Sequence, residues 1–326
     1  MRIAVTGSIA NDHLMTFPGR FVEQIVPEHL DRLSLSFLVD GLTLRRGGVA
    51  ANIAFGLGQL GIRAVVVAAV GRDFDDYRAW LVRHGVDTSG IHVSEVRHTA
   101  RFMVTTDLDD NQIAFFYPGA MVEARDIALR PIADRLGGLD LVVVSPDDPD
   151  AMRRHTDEAR EMGVPFVADP SQQLARIDGA TARELVDGAE YLVANDYERA
   201  LLESKTGWSS DEVLGRVGTR VTTLGPKGCS IERRGDPAIS VAATAPEGSE
   251  SDPTGVGDAF RAGFLAGRVW GLELERCAQI GSLVATHAFE TIGTQEYVID
   301  AERFLRRFAA AYGDDAANEV APAFSR

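Results

Sequence analysis

The chain has 326 residues, of which 45% are hydrophobic and 25% are charged, and its formal net charge is −15. This length and composition are typical of a globular protein with one large α/β domain or two domains. The acidic balance argues against a nucleic-acid-binding or anionic-membrane surface.

Several further sequence features bear on the compartment. Cys229 and Cys277 give neither a zinc spacing nor a disulfide framework. The apolar run at the N-terminus is too short for a signal peptide, and no apolar run reaches the ~18 residues of a membrane span. We therefore expect a cytoplasmic protein without a nucleic-acid or membrane partner.

The first part of the chain predicts strands and helices interrupted by two β-rich inserts. Residues 2–9 predict a buried strand, followed by polar residues at Asn11 and Asp12. In the first insert, the run LSLSFLVDGLTLRR predicts two strands around Asp40-Gly41. In the second, the pattern predicts a hairpin of 101–106 and 112–117 around a polar turn. Between the inserts, we predict a helix over 49–61, a strand over 64–70 and a helix over 74–85.

From residue 120 onward, helices and strands alternate regularly. The predicted helices are 122–136, 149–162, 179–187, 196–205, 209–216, 258–270, 273–288 and 300–311. The predicted strands are 139–145, 164–169, 191–195, 220–225, 229–233 and 239–243. We expect only about 15 residues at the C-terminus to fray.

This alternation predicts a mostly parallel central sheet with helices on both faces, a three-layer α/β sandwich. The inserts 13–46 and 98–119 break the alternation, and we expect them to pair into a small β-sheet lid over the carboxyl edge of the main sheet. The large domain would then comprise 1–12, 47–97 and 120–326.

The stretch SDPTGVGDAFR, residues 251–261, places a glycine-rich turn before a helix. Gly255 and Gly257 allow successive N–H groups to point into one concavity, and the helix start favours an anion there. Asp258 adds a carboxylate beside it. The turn can be no more than a capped helix start. Its chemical interpretation is a base for a hydroxyl group, with N–H groups around a transferred phosphoryl group.

Polar residues also follow four predicted strands. They are Ser8 and Asp12; Asp169, Gln172, Gln173 and Arg176; Asn195 and Glu198; and Thr223 and Gly225. Each set alone is compatible with caps and turns. In a parallel sheet, however, all four would meet the 252–258 turn at one edge, and this convergence favours a ligand site. A G-x-x-x-x-G-K-[ST] phosphate loop, a dinucleotide fingerprint and a nucleophile elbow are absent from the sequence.

Four motifs make the chain resemble the ribokinase-like carbohydrate and nucleoside kinases. Gly47-Gly48-x-x-x-Asn52 is similar to the amino-terminal diglycine motif of that family, and DPTGVGD at 252–258 is similar to its carboxyl-terminal signature. Asn195-x-x-Glu198 resembles its N-x-x-E motif, and Thr223-x-Gly225-x-x-Gly228 resembles its nucleotide loop. Pro253 and Val256 replace the common Thr and Ala. The stretches TGSIANDHLMTFPGRF, LSLSFLVD, HTARF, FFYPGAM, DPSQQLAR and ANDYE are similar to bacterial members that phosphorylate adenosine.

The resemblance implies a ribokinase-like fold and transfer of the ATP γ-phosphoryl group to the 5′-hydroxyl of adenosine, giving AMP and ADP. Asp258 would be the general base, the amides of Gly255, Val256 and Gly257 would form the anion hole, and Arg176 would approach the phosphate. The adenosine site would comprise Ser8, Asp12, Ser36, Gly48, Asn52, Phe102, Phe116, Gln172 and Gln173. The nucleotide site would comprise Asn195, Thr223, Gly225 and Gly228.

For cofactors and assembly, the resemblance implies Mg²⁺ held by Glu198, mostly through water, with ATP as co-substrate. A K⁺ ion near Asp252 and 290–293 is left open. Lids of this type pair into homodimers, so Ser36 or Phe37 would reach the site of a second subunit.

Two alternative functions also remain open. A carboxylate and an amide such as Asp12 and Asn52 suit the hydroxyls of either a nucleoside or a free sugar. Phe102 and Phe116 could stack on a base or form the core of the hairpin, as a ribose or fructose kinase would predict. A nucleoside-binding protein without catalysis is the third hypothesis, although it would have no need of Asp258 at the anion hole.

Overall fold

The computed structural model describes residues 1–25, 32, 34–248 and 251–325. The strands are β1 Ile3–Thr6, β2 Ala10–Thr16, β3 Gly41–Gly47, β4 Val65–Val70, β5 Asp87–Val93, β6 Ala100–Thr106, β7 Gln112–Tyr117, β8 Leu141–Val144, β9 Phe166–Ala168, β10 Tyr191–Asn195, β11 Thr219–Thr223, β12 Cys229–Glu232 and β13 Ile239–Val241. The α-helices are α1 Phe21–Gln24, α2 Val49–Gln59, α3 Asp75–Arg83, α4 Arg130–Leu136, α5 Pro149–Glu161, α6 Gly179–Val186, α7 Asp196–Thr206, α8 Ser210–Leu214, α9 Val256–Val269, α10 Leu274–Phe289, α11 Ala301–Tyr312 and α12 Asp314–Val320. Short 3₁₀ turns lie at Arg72–Phe74, Gly119–Asp126, Ser171–Ala175, Gly225–Lys227 and Ala321–Ser325.

The main sheet confirms the predicted, mostly parallel architecture. Its nine strands have the order β13-β12-β11-β10-β9-β8-β1-β4-β5. Neighbours from β11 to β5 are parallel, and β12 and β13 are antiparallel. Parallel strands covered on both faces are apolar along their whole length, and VVVAAV in β4 and LVVV in β8 are fully buried. Their carboxyl ends therefore share one edge.

The two faces of this sheet pack against two helix layers, which makes the predicted three-layer sandwich. Successive residues of a strand point to opposite faces. Val143 accordingly belongs to a core built with α2, α9 and α10, whereas Val142 belongs to a second core built with α5 and α6. In the described ranges, no helix is long and apolar enough to cross a membrane.

A separate four-stranded sheet, the small sheet, has the order β3-β2-β6-β7. The two inserts pair through the parallel ladder of β2 and β6, as predicted, and β6 and β7 form the expected hairpin. The hairpin around Asp40-Gly41 was predicted wrongly, because 34–39 form no strand; position 33 of that run lies outside the described residues. The partner of β3 is β2, whose polar start at Asn11-Asp12 resembles a loop.

Other boundaries also differ from the predictions. The first strand ends at Thr6, and the predicted helix 122–136 is a 3₁₀ turn followed by α4, which starts beside a proline. Strand β5 was not predicted, because its sequence DTSGIHV is polar. The expected fraying at the C-terminus is wrong over 314–320, because Ala316 and Val320 of α12 are buried against the core.

Candidate functional site

The turn before α9 has the conformation that the glycine-rich sequence predicts. Gly255 lies in the left-handed region, with φ 75°, directly before the first residue of α9. A Cβ atom there would lie 2.8 Å from Thr294 Cγ2, so both backbone strain and packing favour glycine. Asp252 fixes the turn by accepting hydrogen bonds from the N–H groups of Thr254 and Gly293, each at 2.9 Å.

Asp258 lies in the first turn of α9, a position where main-chain N–H groups have few intrahelical acceptors. The N–H of Val256 donates to the main-chain oxygen of Pro253 at 3.5 Å. The side-chain amide of Asn52 donates to Asp258 Oδ2 at 2.8 Å. Burial raises the pKa of Asp258 to about 6, against the opposing influence of Arg261 and Asn52. A carboxyl with this pKa is largely ionised at pH 7 and can still take up a proton, which suits a general base.

Arg261 is a member of the site that the sequence analysis missed. It is buried one turn after Asp258, with its Nη1 4.0 Å from Asp258 Oδ1. Its Nη2 donates to Asp169 Oδ1 at 2.6 Å and to Ser171 Oγ at 2.8 Å. The available signal was a lone arginine in the apolar run AFRAGFLAG, three residues after Asp258. Asp258, Asn52, Arg261, Asp169 and Ser171 are called the Asp258 cluster below.

The residues after β9 were predicted to reach the phosphate and the nucleoside. Arg176 and Gln172 are exposed, and Arg261 is the guanidinium group that lies beside Asp258. Gln173 is buried, and its amide donates to the main-chain oxygen of Asp147 at 2.7 Å. The ligand contacts of Arg176, Gln172 and Gln173 therefore stay predictions.

The diglycine motif lies between β3 and α2. Gly48 has φ 97°, and a Cβ atom there would lie 2.5 Å from both the Cα atom of Ile9 and the main-chain oxygen of Ser8. The hydroxyl of Ser8 accepts a hydrogen bond from the N–H of Val49 at 3.2 Å. The motif therefore brings the start of α2, and Asn52 one turn later, against the carboxyl end of β1.

One row of side chains crosses the small sheet on a single face. Asp12 pairs directly with Phe102 on β6, which in turn pairs with Phe116 on β7. Burial raises the pKa of Asp12 to about 6. Phe102 and Phe116 are 36% and 40% exposed, so they do not form a hairpin core. This row thus places a carboxylate beside two accessible aromatic rings.

The residues expected at a second subunit lie at the edge of this sheet. Ser36 is exposed. The ring of Phe37 packs against Phe17 and Phe21, with centroid distances of 5.2 and 4.9 Å. Phe37 therefore has an intramolecular role in packing.

The residues predicted for the nucleotide lie at the ends of β10 and β11. Asn195 and Thr223 are directly paired as the last residues of these two parallel strands. Gly225 and Gly228, with φ 57° and 94°, form the turn between β11 and β12. The structure therefore brings the two motifs together at the carboxyl edge of the sheet.

Asn195 and Glu198 form a capping box at the start of α7. Asn195 Oδ1 accepts from the N–H of Glu198, and Glu198 Oε2 accepts from the N–H of Asn195, both at 2.8 Å. Burial raises the pKa of Glu198. Within the described ranges, no group of three His, Cys, Asp or Glu side chains could hold a metal ion. Asn195 and Glu198 alone therefore fit only a metal ion whose other ligands are phosphate oxygens and water, as is usual for Mg²⁺.

The family model for pfkB family carbohydrate kinase matches residues 9–301. The chain belongs to this family. A nucleoside kinase of Methanothermobacter thermautotrophicus is 32% identical over 294 residues, which are 87% of this chain and 92% of that protein. The pfkB family assignment makes the chain an ATP-dependent phosphotransferase.

Solved structures support the same assignment. Burkholderia thailandensis nucleoside kinase in complex with inosine is 37% identical, with a TM-score of 0.82 over 95% of this chain and 98% of that one. The same kinase in complex with ADP-inosine is 38% identical, with a TM-score of 0.81 over 95% and 96% of the two chains. This pfkB family chain therefore has the ribokinase-like fold that its motifs implied.

Proposed function

We propose that this pfkB family kinase transfers the γ-phosphoryl group of ATP to the 5′-hydroxyl of a nucleoside, and that adenosine is an acceptor. The observation that carries the proposal is Asp258 at the N-terminus of α9, where Asn52 donates to its carboxylate at 2.8 Å and desolvation raises its pKa to about 6. The Asp12 carboxylate lies against Gly47, and hydrogen bonds through Tyr77, Gln295 and Asn52 connect the Gly47 carbonyl to Asp258. The names of the nucleoside kinase relatives support the acceptor class.

In the proposed step, Asp258 takes the proton of the 5′-hydroxyl as its oxygen forms a bond to the γ-phosphorus. The bond from that phosphorus to the bridging oxygen of ADP breaks, ADP leaves with the electron pair, and the proton on Asp258 later passes to water. We propose that the amides of Gly255, Val256 and Gly257, at the start of α9, stabilise the charge that develops on the transferring group.

At the acceptor end, Asp12 would accept hydrogen bonds from the vicinal hydroxyls of the ribose. Phe102 and Phe116, which are exposed in the same row, would stack on the base. Accessible aromatic rings are suited to stacking on a base. This exposure favours the nucleoside over ribose or fructose.

At the donor end, we propose that Thr223, Gly225 and Gly228 line ATP, with Asn195 beside its phosphates. Glu198 would hold Mg²⁺ through water, and the ion would neutralise phosphate charge when bound. A K⁺ site near Asp252 stays a prediction. The carboxylate of Asp252 already accepts two N–H groups, and Glu290 is paired with Arg307 at 2.7 Å.

The pH dependence of the rate follows from the pKa of Asp258. Because the base must be ionised, kcat is expected to be nearly constant above pH 7 and to fall about tenfold per pH unit well below pH 6. Steady-state kcat between pH 5 and 8, at saturating substrates and constant ionic strength, measures this fall, the acid limb of the pH profile. A rate that increases as the pH falls through 6 would contradict the assignment.

Phe102→Ala is expected to weaken adenosine binding by about 1–3 kcal/mol, because stacking on the base is lost. Isothermal titration calorimetry with adenosine gives the Kd, and ribose serves as the ligand control because it has no base. Phe115→Ala is the matched variant, since Phe115 is exposed on the opposite face of β7. Phe115 lies on the face proposed below for the dimer, so the two variants are compared only where light scattering gives them the same molecular mass. Equal losses in the two variants would argue against stacking by Phe102.

The acceptor class can be tested by ADP release with Mg-ATP and adenosine, guanosine, inosine, ribose or fructose. The proposal predicts turnover with nucleosides well above that with free sugars. Faster turnover with a sugar would be compatible with Asp258 as the base but would contradict a nucleoside as the acceptor. Nucleoside binding without ADP release, in the presence and absence of K⁺, would support a binding protein instead.

We also propose that the chain forms a homodimer through the small sheet. Its face opposite the Asp12 row carries exposed apolar side chains, including Leu42 and Leu44, which are 59% and 62% exposed. Exposed apolar sheet faces are typical of protein interfaces. Light scattering should give twice the mass of the 35.2 kDa chain, and a mass of one chain would refute the proposal.

A further inference from the structure

A continuous chain of hydrogen bonds leads from Asp258 to the end of strand β3. Asn52 Nδ2 donates to Asp258 at 2.8 Å, and Asn52 Oδ1 accepts from Gln295 Nε2 at 2.9 Å. The same Gln295 nitrogen donates to the hydroxyl of Tyr77 at 2.5 Å, and this hydroxyl donates to the main-chain oxygen of Gly47 at 2.9 Å. The chain links three helices, a loop and the diglycine motif, and Asn52, Gln295 and Tyr77 are all buried.

The chemistry at its two ends fixes the direction of every bond. An ionised Asp258 can only accept, so Asn52 must present its amide nitrogen to it and its amide oxygen to Gln295. At the other end, the carbonyl of Gly47 can only accept, so the hydroxyl proton of Tyr77 is used there. Tyr77 and Asn52 therefore both need a donor from the group between them.

The NH₂ group of Gln295 carries two hydrogens and donates in both directions. A carboxyl group offers one proton at most, and a thioether offers none. The bonding pattern therefore calls for a side chain with two donor hydrogens at position 295. Without Gln295, the Asn52 amide could turn over and bring its oxygen towards the carboxylate.

We propose that Gln295, supported by Tyr77, is a positioning residue that holds the Asn52 amide with its donor towards Asp258. The proposal rests on the proposed role of Asp258 as the general base. The bond from Asn52 stabilises the ionised, proton-accepting form of Asp258 and also fixes the orientation of its carboxylate. Because the chain ends at Gly47, it connects the base to the last residue of the small-sheet strand β3.

Other charged and titratable groups also face Asp258, and they are unchanged by a substitution at position 295. Arg261 on the same helix lowers its pKa, whereas Asp169 after β9 and Glu198 on α7 raise it. Burial, with a smaller contribution from Asp258, raises the pKa of Tyr77 and Tyr297. A shift of the pH profile on changing Gln295 therefore reports the Asn52 bond, provided that these groups stay in place.

The test is Gln295→Met, which keeps the length of the side chain and removes both donors. We expect kcat to fall about tenfold, with KM for adenosine within about threefold. The acid limb of kcat should move to higher pH by about half a unit or more, because Asp258 loses a bond to its ionised form. Unchanged kcat and pH profile would overturn the proposal, and so would a raised KM with normal kcat.

Two buried tyrosines provide a matched pair of further variants. Tyr77→Phe removes the hydroxyl that anchors Gln295, and a smaller change in the same direction is expected. Tyr297→Phe removes a hydroxyl that has no hydrogen-bond partner in the described structure, so kcat and the pH limb should not change. Equal effects of the two would overturn the proposal, and this comparison decides the matter if Gln295→Met does not fold.

Failure of this inference and failure of the proposed function give different results. If Asp258 is not the base, Asp258→Asn retains turnover. If only the positioning role is wrong, Asp258→Asn loses most of its turnover, whereas Gln295→Met and Tyr77→Phe behave like the unmodified enzyme.

Discussion

Replacing Asp258 with asparagine is expected to lower kcat by about 10²- to 10⁴-fold, the usual contribution of a general base. The substituted side chain keeps its size and can still accept the bond from Asn52, but it cannot take the proton of the acceptor hydroxyl. Because that proton moves only in the transition state, adenosine binding should be nearly unchanged. Steady-state ADP release gives kcat, and calorimetry gives the Kd of adenosine.

A matched control for this variant is Asp314→Asn. Asp314 also lies in the first turn of a helix, α12, outside the Asp258 cluster. It should leave kcat within about twofold, because Asp314 is exposed and its charge is screened by water and salt. Near-normal turnover of Asp258→Asn would show that Asp258 is not the base, and a loss of adenosine binding would show that it acts in the ground state.

Replacing Arg261 with methionine is expected to lower the free energy of unfolding by about 3–5 kcal/mol, because it leaves a buried carboxylate without its counter-charge. Asp169 is fully buried, and Arg261 Nη2 lies 2.6 Å from its Oδ1. The variant should also lose activity, since Arg261 lies beside Asp258. Urea denaturation followed by circular dichroism measures the stability change.

The double variant Arg261→Met with Asp169→Asn separates the broken ion pair from lost packing. If the uncompensated charge causes the loss, removing that charge should restore most of the stability. A loss of stability in the double variant equal to the sum of the losses in the two single variants would show that the pair contributes no coupling energy. Such a result would contradict the electrostatic account of this part of the site.

The turn around Asp258 could be predicted from the sequence because its determinants are local. Gly255 needs a positive φ, and Asp258 follows it at the start of a helix, so a few adjacent residues specify the geometry. Gly48 and the start of α2 were predictable for the same reason. Apolar runs such as β4 and β8, alternating with helices along the chain, are likewise typical of a parallel sheet.

The features that could not be predicted from the sequence depend on contacts between distant parts of the chain. Asn52 and Gln295 are 243 positions apart, and each is ordinary in its own segment. Arg261 gains its role only when β9 places Asp169 beside it. The Asp40-Gly41 signal misled us because it is local, whereas the actual partner of β3 is β2, which reads as a loop. When two paired strands are separated by an insert, the residues near each strand give little indication of its partner.

The most direct test of phosphoryl transfer to a nucleoside is a competition measured by product. The enzyme is incubated with Mg-ATP and equal concentrations of adenosine and ribose, and ³¹P NMR identifies the phosphate esters formed. We predict AMP and ADP in equal amounts, with no detectable ribose phosphate and no product when 5′-deoxyadenosine replaces adenosine. Ribose phosphate as the main ester, or ADP and inorganic phosphate without AMP, would contradict the account.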